Sequence, residues 1–151
     1  MAREIVLELV NEGISARAVL LEKQAPKTCQ TIWNLLPVSG DLGHAAYSGT
    51  IVALYIDPNV IIEPENVTTC IQTGDVMYTH YDAMVRHGHP EPLSEIYWAY
   101  DRYARPTIPG QFVPAIANVF ARIYDDADAF YEACRAIRRG GVKQVRISRA
   151  E

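Results

Sequence analysis

The sequence predicts a mainly β fold, a closed β-barrel of about eight strands with two covering helices. Three observations support this fold class. Short segments with a two-residue apolar period recur along the chain, only two segments have helical periodicity, and turn residues separate most of these segments. Alternating βαβ units would need more helices than this chain offers. With 151 residues, the chain is expected to form a single domain over residues 1–151.

The first two predicted strands form a hairpin. Glu4–Val10 alternates between charged or β-branched residues and apolar ones, and Asn11-Glu12-Gly13 is typical of a turn. Ser15–Leu21 alternates again, with Ala16, Ala18 and Leu20 on one face. The pair is therefore predicted to be antiparallel.

The first predicted helix lies within Ala25–Pro37. Pro26 suits the first helical turn, where its missing N–H has no partner to lose, and Pro37 ends the segment. One apolar stripe follows the spacing i, i+3, i+4, i+7 and consists of Cys29, Ile32, Trp33 and Leu36. This stripe is expected to cover an open end or face of a sheet.

The middle of the chain alternates between strands and loops. Glycine, serine and aspartate predict a loop over Val38–Gly49. Prolines and glycines predict two further loops, Asp82–Leu93 and Asp101–Ala115. The predicted strands are Thr50–Ile56, Val67–Ile71, Val76–Tyr81, Glu95–Tyr100 and Asn118–Ile123.

The second predicted helix has charges that match its dipole. Its start is acidic, its end is basic, and Gly140-Gly141 supplies a left-handed cap. Its apolar stripe consists of Ala127, Phe130, Tyr131, Cys134 and Ile137. A last strand is predicted over Val142–Ile147.

Composition argues against several classes of partner. A formal net charge of -4 argues against nucleic acid and against anionic membrane surfaces. No apolar run approaches the ~20 residues of a membrane span, and the start of the chain is too polar for a secretory signal. Three cysteines without a CxxC pair predict buried free thiols in a reducing compartment. A cytoplasmic protein that needs no cofactor is therefore expected.

The order of several short motifs resembles the cyclophilins. The hairpin followed by Ala25-Pro26-Lys27-Thr28 resembles their start, and Asn118–Ile123 with the acidic-capped helix resembles their end. The middle, with Tyr47-Ser48-Gly49, Thr73–Val76 and Ser94-Glu95-Ile96, looks more like a group of small bacterial cyclophilin-like proteins of unknown function. The resemblance spans nearly the whole chain and implies a cyclophilin-like barrel.

The same resemblance argues against prolyl isomerase activity. Cyclophilin isomerases carry a Phe-His-Arg and a Phe-Met-x-Gln segment after the first helix, and the arginine binds the substrate carbonyl. Here the region from Val38 to Glu65 contains no Arg, Phe, Met or Gln. A neutral residue does not supply a comparable charge-assisted hydrogen bond. Other members of the superfamily act on small amides and lactams, but a fold alone does not imply a reaction.

Six residues are candidates for one site on the loop face of the barrel. His44, Ser48 and Glu95 are predicted catalytic residues, because they could supply a base or acid and a hydroxyl. The predicted ligand-binding residues are Tyr47, Tyr97 and Asn118. The competing interpretation is structural: Ser48-Gly49 forms a turn, His44 is exposed, and Asn118 satisfies nearby backbone groups.

Two other clusters have alternative interpretations. His80, His87, His89 and Glu91 have types and spacing that zinc could use, but the glycine and prolines among them favour a loop without fixed geometry. No metal site is therefore predicted.

An aromatic run, Tyr97, Trp98, Tyr100 and Tyr103, places Trp98 and Tyr100 on one strand face and Tyr97 on the other. One face is core, and the other is a ligand wall or a subunit contact. We favour the subunit contact, because the loop Asp101–Ala115 could swap across a dimer.

The leading hypothesis is a homo-oligomeric protein that binds, and could transform, a small polar metabolite such as an amide, lactam or acid. The alternative is a non-catalytic oligomerising or protein-interaction module.

Overall fold

The computed structural model describes residues 1–86, 89–108 and 113–151. Two helices are present, α1 (Pro26–Leu35) and α2 (Asp128–Gly140). The strands are β1 (Glu4–Leu9), β2 (Ile14–Leu20), β3 (Val38–His44), β4 (Ile51–Ile56), β5 (Val67–Thr68), β6 (Asp75–Tyr81), β7 (Leu93–Ala99), β8 (Thr107–Ile108), β9 (Val113–Pro114), β10 (Ala117–Ile123) and β11 (Lys143–Arg149). No helix in these described ranges is long and apolar enough to cross a membrane.

Eight of these strands close into an antiparallel barrel, as the sequence predicts. The strand order is β2-β1-β11-β3-β4-β7-β6-β10, and β10 pairs with β2 to complete the ring. The closing register places Ala121 opposite Leu20 and Ile123 opposite Ala18. Closure leaves no free edge in the ring, and β5 adds only a short outer pairing to β10.

One barrel strand lies where the sequence predicts a loop. β3 pairs with β11 on one side and with β4 on the other, although its sequence has two glycines and few apolar residues. Gly40 explains part of this composition, because a Cβ there would lie 3.0 Å from the Leu54 side chain. The predicted strand Val67–Ile71 is reduced to the two residues of β5, so the count of eight is right but one member is wrong.

The barrel interior is a continuous apolar core. The first hairpin buries Ala16, Ala18 and Leu20 as predicted. Helix α2 packs against β2 and β3, and its Phe130 ring stacks on Trp98 of β7 at a centroid distance of 6.0 Å. Burying two such aromatic side chains contributes roughly 2–3 kcal/mol each from the apolar area that they remove from water.

The sheet around β7 is buried on both faces, and this feature positions the site. Every residue of β7 is buried. Ile96 and Trp98 point into the barrel, whereas Tyr97 and Ala99 belong to a second apolar cluster on the outside of the wall, with Met77. Neighbouring segments of the chain therefore cover the outer face of β7.

Candidate functional site

A cavity of about 500 Å³ lies against the outside of the barrel wall, and we call it the outer-wall cavity. Its floor is formed by the outward-facing residues of β4 and β7. Its sides come from the end of β3 with the loop that follows, from the segment after β6, and from Pro106-Thr107. Five of the six sequence-predicted residues line it: His44, Tyr47, Ser48, Glu95 and Tyr97.

Glu95 is the most unusual group in this cavity. It lies in the middle of β7, where it is only 7% exposed. Its one ionic partner among the described residues is Arg86, whose Nη1 lies 3.4 Å from Glu95 Oε2. Burial raises the pKa of Glu95 to about 7, and Arg86 only partly opposes this effect. The carboxyl can therefore hold or release a proton near neutral pH.

Strand pairing surrounds Glu95 with aromatic residues that the sequence analysis missed. Tyr55 of β4 lies directly opposite Glu95, and Thr79 of β6 lies opposite it on the other side. Tyr81 also lines the cavity, and burial followed by the charge of Glu95 raises the pKa of its phenol. The alternation along these two strands would have identified Tyr55 and Tyr81 once the pairing of β4, β7 and β6 was known.

Arg86 is a further residue that the sequence analysis missed. It belongs to the segment between β6 and β7, where no periodicity marks it. Its guanidinium carbon lies 5.4 Å from the centre of the Tyr81 ring, within the range of a cation–π interaction. Arg86 Nε is buried and has no hydrogen-bond partner among the described residues.

His44 lines the cavity, but its ring is fully engaged by its neighbours. Nδ1 lies 2.8 Å from the carbonyl oxygen of Ala45, which only accepts hydrogen bonds, so Nδ1 carries the proton. Nε2 lies 2.7 Å from the Tyr100 hydroxyl, which donates to a neutral imidazole. The arrangement fixes the ring in place and leaves no free nitrogen for a ligand. The predicted role of His44 as an acid or base has less support than that of Glu95.

Ser48 and Tyr47 form part of the roof. Ser48 Oγ accepts a hydrogen bond from the Thr107 N–H at 3.0 Å, and its carbonyl accepts from the Arg105 N–H at 2.8 Å. Among the described residues, no hydrogen bond joins Ser48 to His44 or Glu95, so Ser48 has no base that would make it a nucleophile. Tyr47 is 65% exposed and stands at the rim.

Tyr97 forms part of the cavity floor, and its face of β7 is not an exposed surface. Its hydroxyl shares a 2.7 Å hydrogen bond with Thr79 Oγ1, and burial raises its pKa well above the ordinary value. Trp98 and Tyr100 belong to the inner core, as alternation predicts. The preferred interpretation of the Tyr97 face as a subunit contact is therefore wrong, because covering loops bury that face and leave the cavity beside it.

Asn118 does not join the cavity, and this part of the predicted site is corrected. It is 3% exposed and holds three groups together. Its Oδ1 accepts from the N–H groups of Glu65 and Asn66, at 3.3 and 3.0 Å, and its Nδ2 donates to Thr28 Oγ1 at 3.0 Å. The structural interpretation, in which Asn118 satisfies backbone groups, describes these contacts.

The histidine cluster is dispersed among different partners. His80 Nδ1 lies 2.8 Å from Ser94 Oγ, and its Nε2 lies 3.3 Å from Asp82. The His89 ring packs edge-on against Tyr55 at 6.1 Å, and His87 lies outside the described residues. Within residues 1–86, 89–108 and 113–151, no group of three or more His, Cys, Asp or Glu side chains has the geometry to hold a metal ion.

The raised pKa of Glu95 predicts a specific pH dependence of stability. An acid whose pKa is higher when folded binds more protons in the folded state, so its stabilising contribution is complete below pH 4.5 and is lost as pH rises to about 7. The difference between these two values corresponds to about 3 kcal/mol. We expect the free energy of unfolding of Glu95→Gln, relative to the unmodified protein, to increase by about 2–3 kcal/mol between pH 5 and pH 8.

Urea unfolding at a series of pH values measures this difference directly. Carboxylates that both proteins share cancel in the comparison. Glu132→Gln, at an exposed position on α2, is the matched control and should give a difference that does not change with pH. A Glu95→Gln difference that is equally flat would contradict the assignment of a neutral-range titration to Glu95.

Comparisons with known proteins support the fold and identify a family. No curated protein sequence matches this chain. Among solved structures, the chain is similar to McbB in complex with tryptophan, with a TM-score of 0.69 and 23% sequence identity. The match covers 96% of this chain but 44% of that one, so this chain spans less than half of the McbB chain.

At this level of identity the likeness to McbB concerns the fold, a cyclophilin-like barrel with two helices. A family model, DUF3830, described as a protein of unknown function, matches residues 7–149. Because this match covers nearly the whole chain, the protein belongs to the DUF3830 family.

Proposed function

We propose that this protein binds a small polar molecule in the outer-wall cavity and that Glu95 is the central recognition group. The observation that carries the proposal is a nearly buried carboxyl group at the wall of a 500 Å³ cavity. A cavity of this volume falls within the range of small-molecule sites. Its tyrosine-rich wall combines apolar contact area with polar hydroxyl groups, which suits a compact polar ligand.

The weak pairing of Glu95 supports a binding role over a structural one. A buried carboxylate is costly unless it is paired and hydrogen-bonded. The contact with Arg86 measures 3.4 Å, whereas the other ion pairs Arg3–Glu22 and Arg122–Asp75 measure 2.7 and 2.9 Å. A group kept in such an environment without full compensation is a strong candidate for a functional site.

Proton transfer is the chemistry that this carboxyl suits best. A pKa of about 7 allows Glu95 to donate or accept a proton at neutral pH, as a general acid or base must. Amides and lactams are the substrate classes that the sequence resemblance implies. The complex of McbB with tryptophan is compatible with small-molecule binding by a barrel of this shape.

A thermal-shift screen of small acids, amides, lactams and amines tests the binding proposal. We expect at least one compound to raise the melting temperature, because a ligand that binds only the folded state stabilises it by about 2.7 kcal/mol at a hundredfold excess over Kd. Glu95→Gln should lose that shift, and the matched Glu132→Gln variant should keep it. A shift that persists in Glu95→Gln would assign the binding to another site, and no shift across a broad library would contradict the proposal.

The alternative function, a contact module for a second copy of this chain, is favoured by a different surface. Ile61, Val67 and Ile116 are 66%, 50% and 59% exposed beside a second, shallower groove. Clustered exposed aliphatic residues are common at protein interfaces. A blank ligand screen together with a dimer in sedimentation velocity that Ile61→Lys dissociates would favour this alternative over ligand binding.

A further inference from the structure

We propose that Glu95 and Tyr81 form a subsite for a cationic nitrogen group and that Arg86 of the same chain occupies this subsite until a ligand replaces it. The ligand class is therefore a compact amidine, guanidine or amine. This inference rests on the proposed binding function and narrows it to one ligand charge and one recognition group.

Among the described residues, Glu95 leaves one carboxylate oxygen available to a ligand. A carboxylate accepts hydrogen bonds and donates none. Oε2 has one long contact, with Arg86, and Oε1 receives no hydrogen bond from any described residue. Oε1 is not fully buried, so it remains open to the cavity. At this point of the cavity wall, Glu95 therefore presents a negatively charged hydrogen-bond acceptor to a ligand.

Arg86 already makes the contacts that a cationic ligand would make in this subsite. Its guanidinium lies over the Tyr81 ring, with 5.4 Å between the guanidinium carbon and the ring centre, and its Nη1 faces Glu95. A planar cation against an aromatic face with a carboxylate beside it is a common way for proteins to bind cationic ligands. Arg86 thus demonstrates the chemistry of the subsite with a group from the chain itself.

Arg86 is held weakly enough for a ligand to replace it. Its contact with Glu95 is longer than the 2.7–2.9 Å of a strong charge-assisted hydrogen bond. The segment that carries it holds Val85 and Met84 exposed, and its other hydrogen bonds are mostly internal, such as the His89 N–H to the Arg86 carbonyl at 3.0 Å. A ligand that pairs with Glu95 at shorter distance therefore competes with a weakly held group.

An anionic ligand at Arg86 fits these observations less well. Arg86 Nε is buried and cannot reach a ligand without rearrangement. The guanidinium edge that contains Nε is therefore not available for a bidentate contact with a carboxylate in the cavity. A carboxylate ligand would also lie close to Glu95, and the two negative charges would repel each other. The charges that line the cavity are two acidic groups, Asp41 and Glu95, and one arginine, which again favours a cation.

Three probes of one shape separate the outcomes: benzamidine, benzamide and benzoate, which are cationic, neutral and anionic. Isothermal titration at pH 9, well above the pKa of about 7, favours the ionised form of Glu95. The variants are Arg86→Met, which keeps an apolar stem over Tyr81, Arg86→Lys as a second variant that preserves charge, and Glu95→Gln. Arg102→Ala is the matched control, because Arg102 lies over Tyr103 on the surface, outside the cavity.

We expect benzamidine to bind at least tenfold more tightly to Arg86→Met than to the unmodified protein, because the internal competitor is gone. Benzamide and benzoate should bind Arg86→Met at least tenfold more weakly than benzamidine. Glu95→Gln should lose at least tenfold in benzamidine affinity, and Arg102→Ala should match the unmodified protein. Arg86→Lys should lie between the unmodified protein and Arg86→Met.

Several results would overturn the inference while leaving small-molecule binding in the outer-wall cavity intact. Preferential benzoate binding that Arg86→Met removes would make Arg86 the recognition group. Equal affinity for benzamide and benzamidine would show that the subsite does not select for positive charge. Unchanged benzamidine binding in Glu95→Gln would show that benzamidine binds at another site. If no probe binds any variant, the cationic subsite is wrong, whereas a blank in the broad screen is what would reject small-molecule binding itself.

Discussion

Replacing Gly49 by alanine is expected to be the most damaging glycine-to-alanine change among the glycines that the structure describes. Gly49 has φ +74°, and a Cβ there would lie 2.0 Å from the Tyr103 carbonyl oxygen. Side chains at such positive φ values cost roughly 1–2 kcal/mol, and a backbone clash adds several kcal/mol unless the loops separate. We expect Gly49→Ala to lose about 3 kcal/mol or more of unfolding free energy in urea titrations.

Gly13→Ala is the matched control for this prediction. Gly13 has a similar backbone angle, φ +65°, but an added Cβ there meets nothing within 4 Å. Gly13→Ala should therefore lose only the free energy of unfolding that the strained backbone angle costs, about 1 kcal/mol. Equal losses for the two variants would show that the close approach of the two roof loops is unimportant.

The clash at Gly49 also has a consequence for the cavity. Thr50 Oγ1 donates to the Asp101 carbonyl at 2.9 Å, and the Arg105 N–H donates to the Ser48 carbonyl, so the two loops are joined on both sides of Gly49. Forcing them apart at Gly49 would open the roof. Any ligand found in the screen should bind Gly49→Ala less tightly even where the barrel remains folded.

Asn118→Ala is expected to give the second large loss, and the loss should be in stability. The substitution leaves one buried and two partly buried hydrogen-bonding partners without their amide, each at a cost of about 1 kcal/mol. One of these partners, the Glu65 N–H, belongs to a residue whose carboxylate receives the first N–H groups of α1 from Lys27 and Thr28. We expect a loss of about 3 kcal/mol in urea unfolding.

The capping by Glu65 explains why the loss should spread to α1. Burial acts to raise the pKa of Glu65, but the hydrogen bonds from Thr28 and Lys27 outweigh it and hold the pKa below its ordinary value. The carboxylate is therefore bound in its charged form at the positive end of the helix, where a negative charge is favourable. Ala25, at the cap position itself, offers no side-chain hydrogen bond, so α1 depends on this distant residue.

Two controls separate this structural role from the ligand-binding role that the sequence predicts for Asn118. Asn59→Ala removes an exposed asparagine in a turn and should change stability by less than about 0.5 kcal/mol. Any cavity ligand should bind Asn118→Ala with unchanged affinity under conditions where the variant is folded. Lost ligand affinity with unchanged stability would restore Asn118 to the site.

Periodicity predicted most of the barrel, because most wall strands alternate between core and solvent or have strong β-forming residues. β3 could not be predicted in this way. Its position between β11 and β4 demands small residues such as Gly40, and this demand removes the apolar signal that identifies a strand. Both helices were identifiable because an amphipathic stripe and terminal residues act within one segment.

The candidate site shows the same difference between residues with a local sequence signal and residues placed by distant contacts. Glu95, Tyr97 and Ser48 were suspected from local context, and they lie around one cavity. Arg86 reaches Glu95 from a segment whose sequence has no period, and Asn118 serves partners more than fifty residues away. Such contacts are properties of the closed ring, and a single sequence carries no local signal for them.

The burial of β7 on both faces has a consequence for how members of this family can diverge. Residues at even positions, such as Ile96 and Trp98, are constrained by the volume of the interior, whereas Glu95 and Tyr97 are constrained by the shape and charge of the cavity. Neighbouring residues of one strand therefore experience independent selection. Substitutions that change the ligand could accumulate at every second residue of β4, β6 and β7, while the residues that face the barrel interior stay the same.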